Sequence, residues 1–240
     1  MVSAAGASSA VAQLAGRRAV VATAGMPIGR KLVQGLARHG ARVMEIATTF
    51  SSKAQAEAAF ADAAREIGGT DLIVHAAAGP AALSVRALDT LSPDDWQAAT
   101  HQSFLSTLFC LQGAHARQRE GGGAVVVVGP STAFVGAAGL VPLMTLAEAQ
   151  RTLVKSAARQ WGKLGMRLNW VGVAPAQYDA ALGHAALPQT PELGPPPPAL
   201  GRLPELQADV ADVIAWLGSD GARAITGASF NLDGGDWMVP

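Results

Sequence analysis

The side chains that could take part in chemistry are few in this 240-residue sequence and lie far apart along it. His75 ends an apolar run, and His101 and Glu148 lie in segments of helical periodicity. Tyr178 is the only tyrosine and is interpreted as a loop residue. Imidazole, carboxyl and phenol groups are common general acids and bases. A lone histidine at a strand end is more often a hydrogen-bonded structural residue. These four residues remain the candidates for chemistry of an unusual kind.

The single cysteine, Cys110, lies within an apolar helical stretch. One thiol excludes an internal disulfide and a cysteine-based metal site. We expect Cys110 to pack in the core, and the sequence predicts no metal site.

The composition excludes several classes of partner. Half of the residues are hydrophobic and 15% are charged, with 18 basic and 18 acidic side chains and no basic cluster along the sequence. Nucleic-acid and anionic-membrane binding both need a basic surface, so neither partner is expected.

The N-terminal segment 1–15 has the composition of an Ala/Ser-rich tail. It has no positively charged start, and its apolar run is broken by Ser and Gln, so it is not typical of a signal peptide. No stretch reaches the ~20 apolar residues that span a bilayer. We therefore expect a cytoplasmic protein.

Runs of strand length alternate with segments of helical periodicity, which predicts a doubly wound parallel sheet in one domain over 1–240. Ser92 and Pro93 predict the start of one helix, and an apolar stripe predicts another over 204–217. The proline-rich segment 188–204 is interpreted as a stiff surface loop. The six predicted strands are 18–24, 41–47, 71–77, 124–129, 166–173 and 225–232.

Several stretches together resemble the short-chain dehydrogenase/reductase family: "GRRAVVATAGMPIGRKLVQGLARHGARV", "DLIVHAAAG", "LSPDDWQAATHQSFLSTLFC" and the C-terminal "ITGASFNLDGG". The resemblance covers nearly the whole chain. It implies a Rossmann-like α/β fold that binds a dinucleotide at the first strand-to-helix turn.

That turn departs from the family pattern Thr-Gly-x-x-x-Gly-x-Gly. Thr23 and Pro27 stand at the first two glycine positions, and only Gly29 is kept. The glycines let backbone N–H groups approach a pyrophosphate, so the turn is interpreted as structural. The resemblance also places an acidic ribose ligand at the end of the second strand, where Ala47 stands; Glu45, two residues earlier, is assigned a solvated or salt-bridged role. No cofactor-binding residue is therefore expected in this chain.

Only 23 residues separate Ala47 from Asp71. A crossover needs at least about 10–12 residues, so this interval holds one helix and no additional strand. We expect the edge strand on the adenosine side to be missing. The family's Asn-Asn-Ala-Gly corresponds to "HAAA" at 75–78.

The catalytic positions implied by the resemblance are also replaced. The family's Tyr-x-x-x-Lys pair falls on Leu143 and Ala147, and its Ser falls on Pro130, one residue before Ser131. Ser103 stands at the position of the helix Asn. Lys155 is eight residues past Ala147, about 12 Å along a helix, and cannot take the place of the missing lysine.

These replacements predict a non-catalytic pseudoenzyme subunit that is not an enzyme by itself. Its expected partner is an active NAD-dependent homologue in a hetero-oligomer with two copies of each chain. The pattern resembles the inactive subunit of a heteromeric hydroxyacyl-CoA-type dehydrogenase of anaerobic toluene degradation. Two alternatives stay open: a diverged enzyme without a nicotinamide cofactor, and a regulatory homo-oligomer that senses a small molecule.

Overall fold

The computed structural model describes residues 12–182 and 198–238 of the chain. Its strands are β1 (Arg18–Ala22), β2 (Arg42–Ile46), β3 (Leu72–His75), β4 (Gly123–Pro130), β5 (Met166–Val173) and β6 (Ser229–Leu232). Its helices are α1 (Ile28–Arg38), α2 (Lys53–Ile67), α3 (Pro93–Gln118), α4 (Val141–Trp161), α5 (Pro175–Tyr178) and α6 (Ala211–Gly218).

All six strands form one parallel sheet in the order β2-β1-β3-β4-β5-β6. The predicted Rossmann-like α/β fold is confirmed. The chain reverses its direction across the sheet at β1, which pairs with β2 on one side and β3 on the other. Open sheets of this kind bind ligands where the carboxyl ends of such strands diverge. The ends of β1 and β3 are therefore the first place to examine for a site.

Helices cover both faces of the sheet, as the continuous apolar strands require. Successive residues of β1 point to opposite faces: Val21 joins the core beneath α1 and α6, and Val20 joins the core beneath α2, α3 and α4. Both residues are fully buried.

The sheet ends at β2, and only Ile46 of its five residues is buried. Between Ile46 and Leu72 the chain forms a single helix, α2, and no described residue forms a strand beyond β2. The Ser52 hydroxyl caps α2 by accepting from the Gln55 amide at 3.2 Å. The prediction that this interval holds one helix and no additional strand is confirmed.

The start of α3 follows its sequence signals, and that of α6 does not. Ser92 and Asp95 form a reciprocal capping box, with Pro93 in the first turn. The helix predicted over 204–217 begins only at Ala211, because residues Leu206–Val210 form a wider π-type turn.

Parts of two predicted segments lie outside the described residues, namely 1–11 of the N-terminal tail and 188–197 of the proline-rich loop. Leu14, near the end of that tail, is fully buried, and its amide donates to the His39 carbonyl at 3.0 Å. Among the described helices, none is long and apolar enough to cross a membrane.

Candidate functional site

The carboxyl edge of the sheet brings together the positions that the family resemblance marks as functional. Four parts of the chain meet there: the turn after β1, the end of β2, the segment after β3, and the region between β4 and α4. Their geometry decides what this edge can bind and which protons it can move.

The turn between β1 and α1 leaves few free backbone donors. Ala24 and Gly25 are both left-handed, with φ of +52° and +78°. Pro27 stands at the N-cap of α1 and has no N–H. The amide of Gly29 is already taken, since it donates to the Met26 carbonyl at 3.0 Å. A pyrophosphate would find fewer amides here than in a glycine-rich turn.

The carboxylate of Glu45 fills the space in front of this turn. Its Oε1 lies 3.5 Å from the Thr23 hydroxyl, which is the donor. A Cβ built on Gly29 would lie 2.3 Å from Thr23 Oγ1 and 2.4 Å from Glu45 Oε1, so a larger residue here would force these two side chains to shift. The helix dipole favours a carboxylate at this point, and a phosphate brought here would be repelled by it. Glu45 is exposed and forms no ion pair with any described residue, so of its two expected roles the solvated one holds.

Ala47 follows β2 on the exposed surface and presents a methyl group where the resemblance implies an acid. Nearby, a cavity of about 270 Å³ is lined by Ala24, Thr49, Ser103, Ser106 and residues 77–81, with Ala98 and Gln102, none of them charged. Ser103 Oγ accepts from the Gly79 amide at 2.8 Å, and Ser106 Oγ accepts from the Phe50 amide at 3.2 Å. These two hydroxyls hold the cavity wall in place.

His75 is fully enclosed at the end of β3. Its Nδ1 donates to the Ala22 carbonyl at 2.8 Å, and its Nε2 lies 3.1 Å from the Thr107 hydroxyl. Gln150 donates to the same hydroxyl at 2.8 Å and to the Ala77 carbonyl at 3.1 Å. Burial lowers the pKa of His75 to about 4. The imidazole is neutral at pH 7 and joins β3 to β1 and α3, and Gln150 connects this network to α4. This matches the structural role expected for His75.

The positions of the proton relay lie in an apolar environment. Leu143 and Ala147 are each 1% exposed and belong to the core. Pro130 ends β4, and the hydroxyl of the next residue, Ser131, is buried without a hydrogen-bond partner among the described residues. Gln150, one turn beyond Ala147, makes the polar contacts of this part of α4. Its role was not predicted, because a glutamine three residues from a known position carries no sequence signal.

The four candidate acid–base residues do not form one site. His101 is exposed on α3, and Glu148 lies on the outer face of α4, where it accepts from Arg151 Nε at 2.9 Å. Tyr178 is buried at the end of α5, and desolvation is the main cause that raises the pKa of its phenol. The interpretation of Tyr178 as a loop residue is wrong, because it is the last residue of a short helix.

Two further predictions concern Cys110 and metals. Cys110 is fully buried, and this burial raises the pKa of its thiol, so its predicted place in the core is confirmed. Within the described ranges, no group of three or more His, Cys, Asp or Glu side chains is arranged to hold a metal ion.

Comparisons with known proteins place the chain among oxidoreductases. A family model described as "Enoyl-(Acyl carrier protein) reductase" matches residues 3–236. A probable short-chain type dehydrogenase/reductase of Bradyrhizobium diazoefficiens is 31% identical over 260 aligned positions, covering 92% of this chain and 87% of that protein. D-threitol dehydrogenase of Mycolicibacterium smegmatis is 28% identical, covering 93% and 94%. A probable 2,4-dienoyl-CoA reductase of Bacillus subtilis is 28% identical over 189 residues, covering 75% and 70%.

The expectation that this chain is not an enzyme is contradicted by these relatives. These relatives are named as dehydrogenases and reductases, and at sequence identities of 28% to 31% they point to an enzyme. The expectation was wrong because it took replaced residues at family positions as loss of activity. The positions of Leu143, Ala147 and Glu45 remain facts of the geometry that any function has to accommodate.

Proposed function

Because this chain belongs to the short-chain dehydrogenase/reductase family, we propose that it works as one subunit of an oxidoreductase, assembled with a homologous NAD-dependent dehydrogenase subunit. The observation that carries the proposal is that α4 has apolar residues at the positions of the family's catalytic pair. Leu143 and Ala147, at the Tyr and Lys positions, are buried in the core, while the sheet and helices around them are complete. A proton relay supplied by a second subunit reconciles this helix with the chemistry of the family.

The same proposal places NAD in the partner. In this chain Pro27 removes a donor from the turn, Ala47 offers no ribose ligand, and Glu45 puts a negative charge beside the N-terminus of α1. A dinucleotide carries a pyrophosphate, and a nearby carboxylate disfavours it. The proposal therefore assigns nucleotide binding to the homologous subunit.

An open apolar groove on the outer side of α3 and α4 supports assembly. It has a volume of about 720 Å³ and is lined by Phe104 from α3 and by Met144, Ala149 and Leu153 from α4, with Thr145, Glu148, Thr152 and Ser156. The resemblance implies that these two helices pack against their counterparts across a two-fold axis. Two homologous chains can share such an interface when their contact residues are complementary, which gives a dimer with one copy of each. In the proposed assembly a second two-fold interface joins two such dimers, so that two copies of each chain are present.

For the substrate of the assembly we propose a hydroxyacyl-CoA thioester of the kind formed in anaerobic toluene degradation. Support for this comes from the resemblance to a heteromeric dehydrogenase of that pathway. The B. subtilis relative is itself named for a CoA thioester substrate.

Co-expression with a short-chain dehydrogenase that keeps Tyr-x-x-x-Lys, from the same organism, tests the proposal. We expect the two chains to co-elute on size-exclusion chromatography. NAD-dependent oxidation of a hydroxyacyl-CoA should be lower in the partner alone than in the complex. A partner that is stable and fully active alone, with no co-elution, would refute the proposal.

A second candidate is an oxidoreductase that needs no second subunit, and the names of the relatives favour it. It requires this chain alone to turn over a substrate with NAD or NADP. Assays of NADH or NADPH formation with the purified chain distinguish the two candidates, because only the second predicts turnover without a partner.

A further inference from the structure

Basic side chains form a stripe along α4 that the overall neutral charge conceals. Arg151, Lys155 and Arg159 are spaced by four residues, and Lys163 follows in the turn after the helix. Residues four apart lie above one another on one helix face. The sequence has no run of basic residues, but the fold brings basic side chains together on the surface of α4.

The stripe is left with unpaired charge. The one carboxylate in the segment 141–163 is Glu148, and it is paired with Arg151, whose guanidinium also stacks on the Phe134 ring at 5.1 Å. Lys155 and Arg159 are exposed and form no ion pair with any described residue. Two adjacent cations on a rigid helix are thus available to a partner.

The cations adjoin the apolar groove. Thr152 and Ser156 line that groove, and Lys155 and Arg159 line the depression between α4 and Thr226–Gly227. The outer face of α4 therefore has an apolar half towards its N-terminus and a cationic half towards its C-terminus. An apolar centre beside polar or charged residues is the composition of protein–protein interfaces.

We infer that this face of α4 binds an acidic helix of the homologous partner subunit, with apolar side chains in the groove and carboxylates against Lys155 and Arg159. The homologous nature of the partner rests on the proposed function; the required charge rests on the stripe. Carboxylates four residues apart on a partner helix would match the spacing of the two cations.

The stripe also disfavours pairing of this chain with itself. A second copy brings the same unpaired cations, and its Glu148 is already occupied by Arg151. Like charges brought together at an interface reduce affinity and so select against the wrong partner. The stripe would thus favour the hetero-oligomer over a homodimer.

The test uses a charge-reversed copy of the chain as a defined acidic probe, the double variant Lys155→Glu with Arg159→Glu. Both positions are exposed, so the fold should be kept, which circular dichroism and thermal unfolding check. Mixed with the wild type at low salt, this probe should associate about tenfold more tightly than the wild type associates with itself, as measured by sedimentation velocity. The difference should shrink in ~1 M salt, where the Debye length falls to about 3 Å.

The matched control carries Arg30→Glu with Lys31→Glu, which makes the same change of charge on exposed residues of α1. Equal association of the wild type with probe and control, or with neither, would overturn the inference. Binding of the wild type to anionic vesicles or to single-stranded DNA, lost in the Lys155→Glu/Arg159→Glu variant, would also overturn it in favour of another anionic ligand.

The inference and the proposed function fail separately. If the homologous subunit co-elutes with the wild type and equally with the Lys155→Glu/Arg159→Glu variant, the function stands and the acidic helix is refuted. If no homologous subunit co-elutes while the charge-reversed probe still binds, the surface is confirmed and the homologous partner is refuted.

Discussion

The buried imidazole of His75 makes the stability of this protein depend on pH in a calculable way. The folded state lowers the pKa of His75 from 6.5 to about 4, because the ring is fully desolvated. The unfolded chain therefore binds a proton that the folded chain does not bind between these two values. Stability contributed by neutral His75 is present above pH 6.5, falls as the pH drops towards 4, and is lost below it. The shift corresponds to about 3 kcal/mol at ~1.4 kcal/mol per pKa unit.

Urea unfolding of the wild type and of His75→Asn from pH 8 to pH 4.5 measures this contribution. At pH 8 the variant should be less stable, because the Thr107 hydroxyl and the Ala22 carbonyl each lose one of their hydrogen-bond partners, at a cost of about 1–3 kcal/mol. That difference should shrink by about 2.5 kcal/mol between pH 8 and pH 4.5, and reverse where the cost at pH 8 is smaller than this, since only the wild type must keep an imidazole uncharged. Carboxylates titrate in both proteins, so their contribution to the pH dependence of stability cancels in this comparison.

His101→Asn is the matched control, because His101 is exposed on α3. The same urea series on this variant shows how the loss of an exposed imidazole affects stability. If the difference between the wild type and His75→Asn is constant over this range, His75 is not held neutral by burial, and the structural role assigned to it is refuted.

Three further predictions follow from single positions. Gly29→Ala should lower the free energy of unfolding by about 1–3 kcal/mol, because its Cβ would lie 2.3 Å from Thr23 Oγ1; Gly162→Ala, with nothing within 4 Å, should be neutral or stabilising in the same urea assay. Cys110 should react with a thiol reagent only on unfolding, as followed by mass spectrometry, and fast labelling of the native chain would contradict its burial. The isolated chain should show no micromolar affinity for NAD or NADP by calorimetric titration, and such an affinity would show that the turn at Glu45 accepts a pyrophosphate.

The sheet was predictable because its signals are local and redundant. Apolar runs of strand length, separated by helical segments, leave few alternatives to a doubly wound sheet. The interval between Ala47 and Asp71 is too short for a second crossover, so the missing edge strand followed from chain length alone. Ser92, Pro93 and Asp95 similarly specify the start of α3 through hydrogen bonds within four residues.

The remaining features depend on contacts between distant segments. Glu45 lies beside Gly29, and Gln150 contacts Ala77 and Thr107, only because the fold brings separate elements to one edge of the sheet. Nothing in the neighbourhood of either residue signals this. The late start of α6 was missed for another reason. The periodicity of its apolar stripe does not distinguish an α-helix from the wider π-type turn that precedes it.

Charge and function show the same limitation. A balanced count of 18 basic and 18 acidic residues concealed a cationic stripe in which Lys155 and Arg159 form no ion pair with any described residue, because the fold decides which charges meet. The expectation of an inactive chain followed from Leu143 and Ala147, and the relatives overturned it. The replaced residues exclude a Tyr–Lys proton relay on α4 of this chain. They do not exclude that the chain is part of an enzyme.

Native mass spectrometry of this chain co-expressed with a Tyr-x-x-x-Lys homologue, with NAD added, tests the central claim most directly. Subunit assembly predicts a complex with two copies of each chain that binds NAD in proportion to the homologue. The Lys155→Glu/Arg159→Glu variant should weaken that complex. The claim would be contradicted if the homologue assembled only with itself and this chain, left free, turned over substrate with NAD on its own.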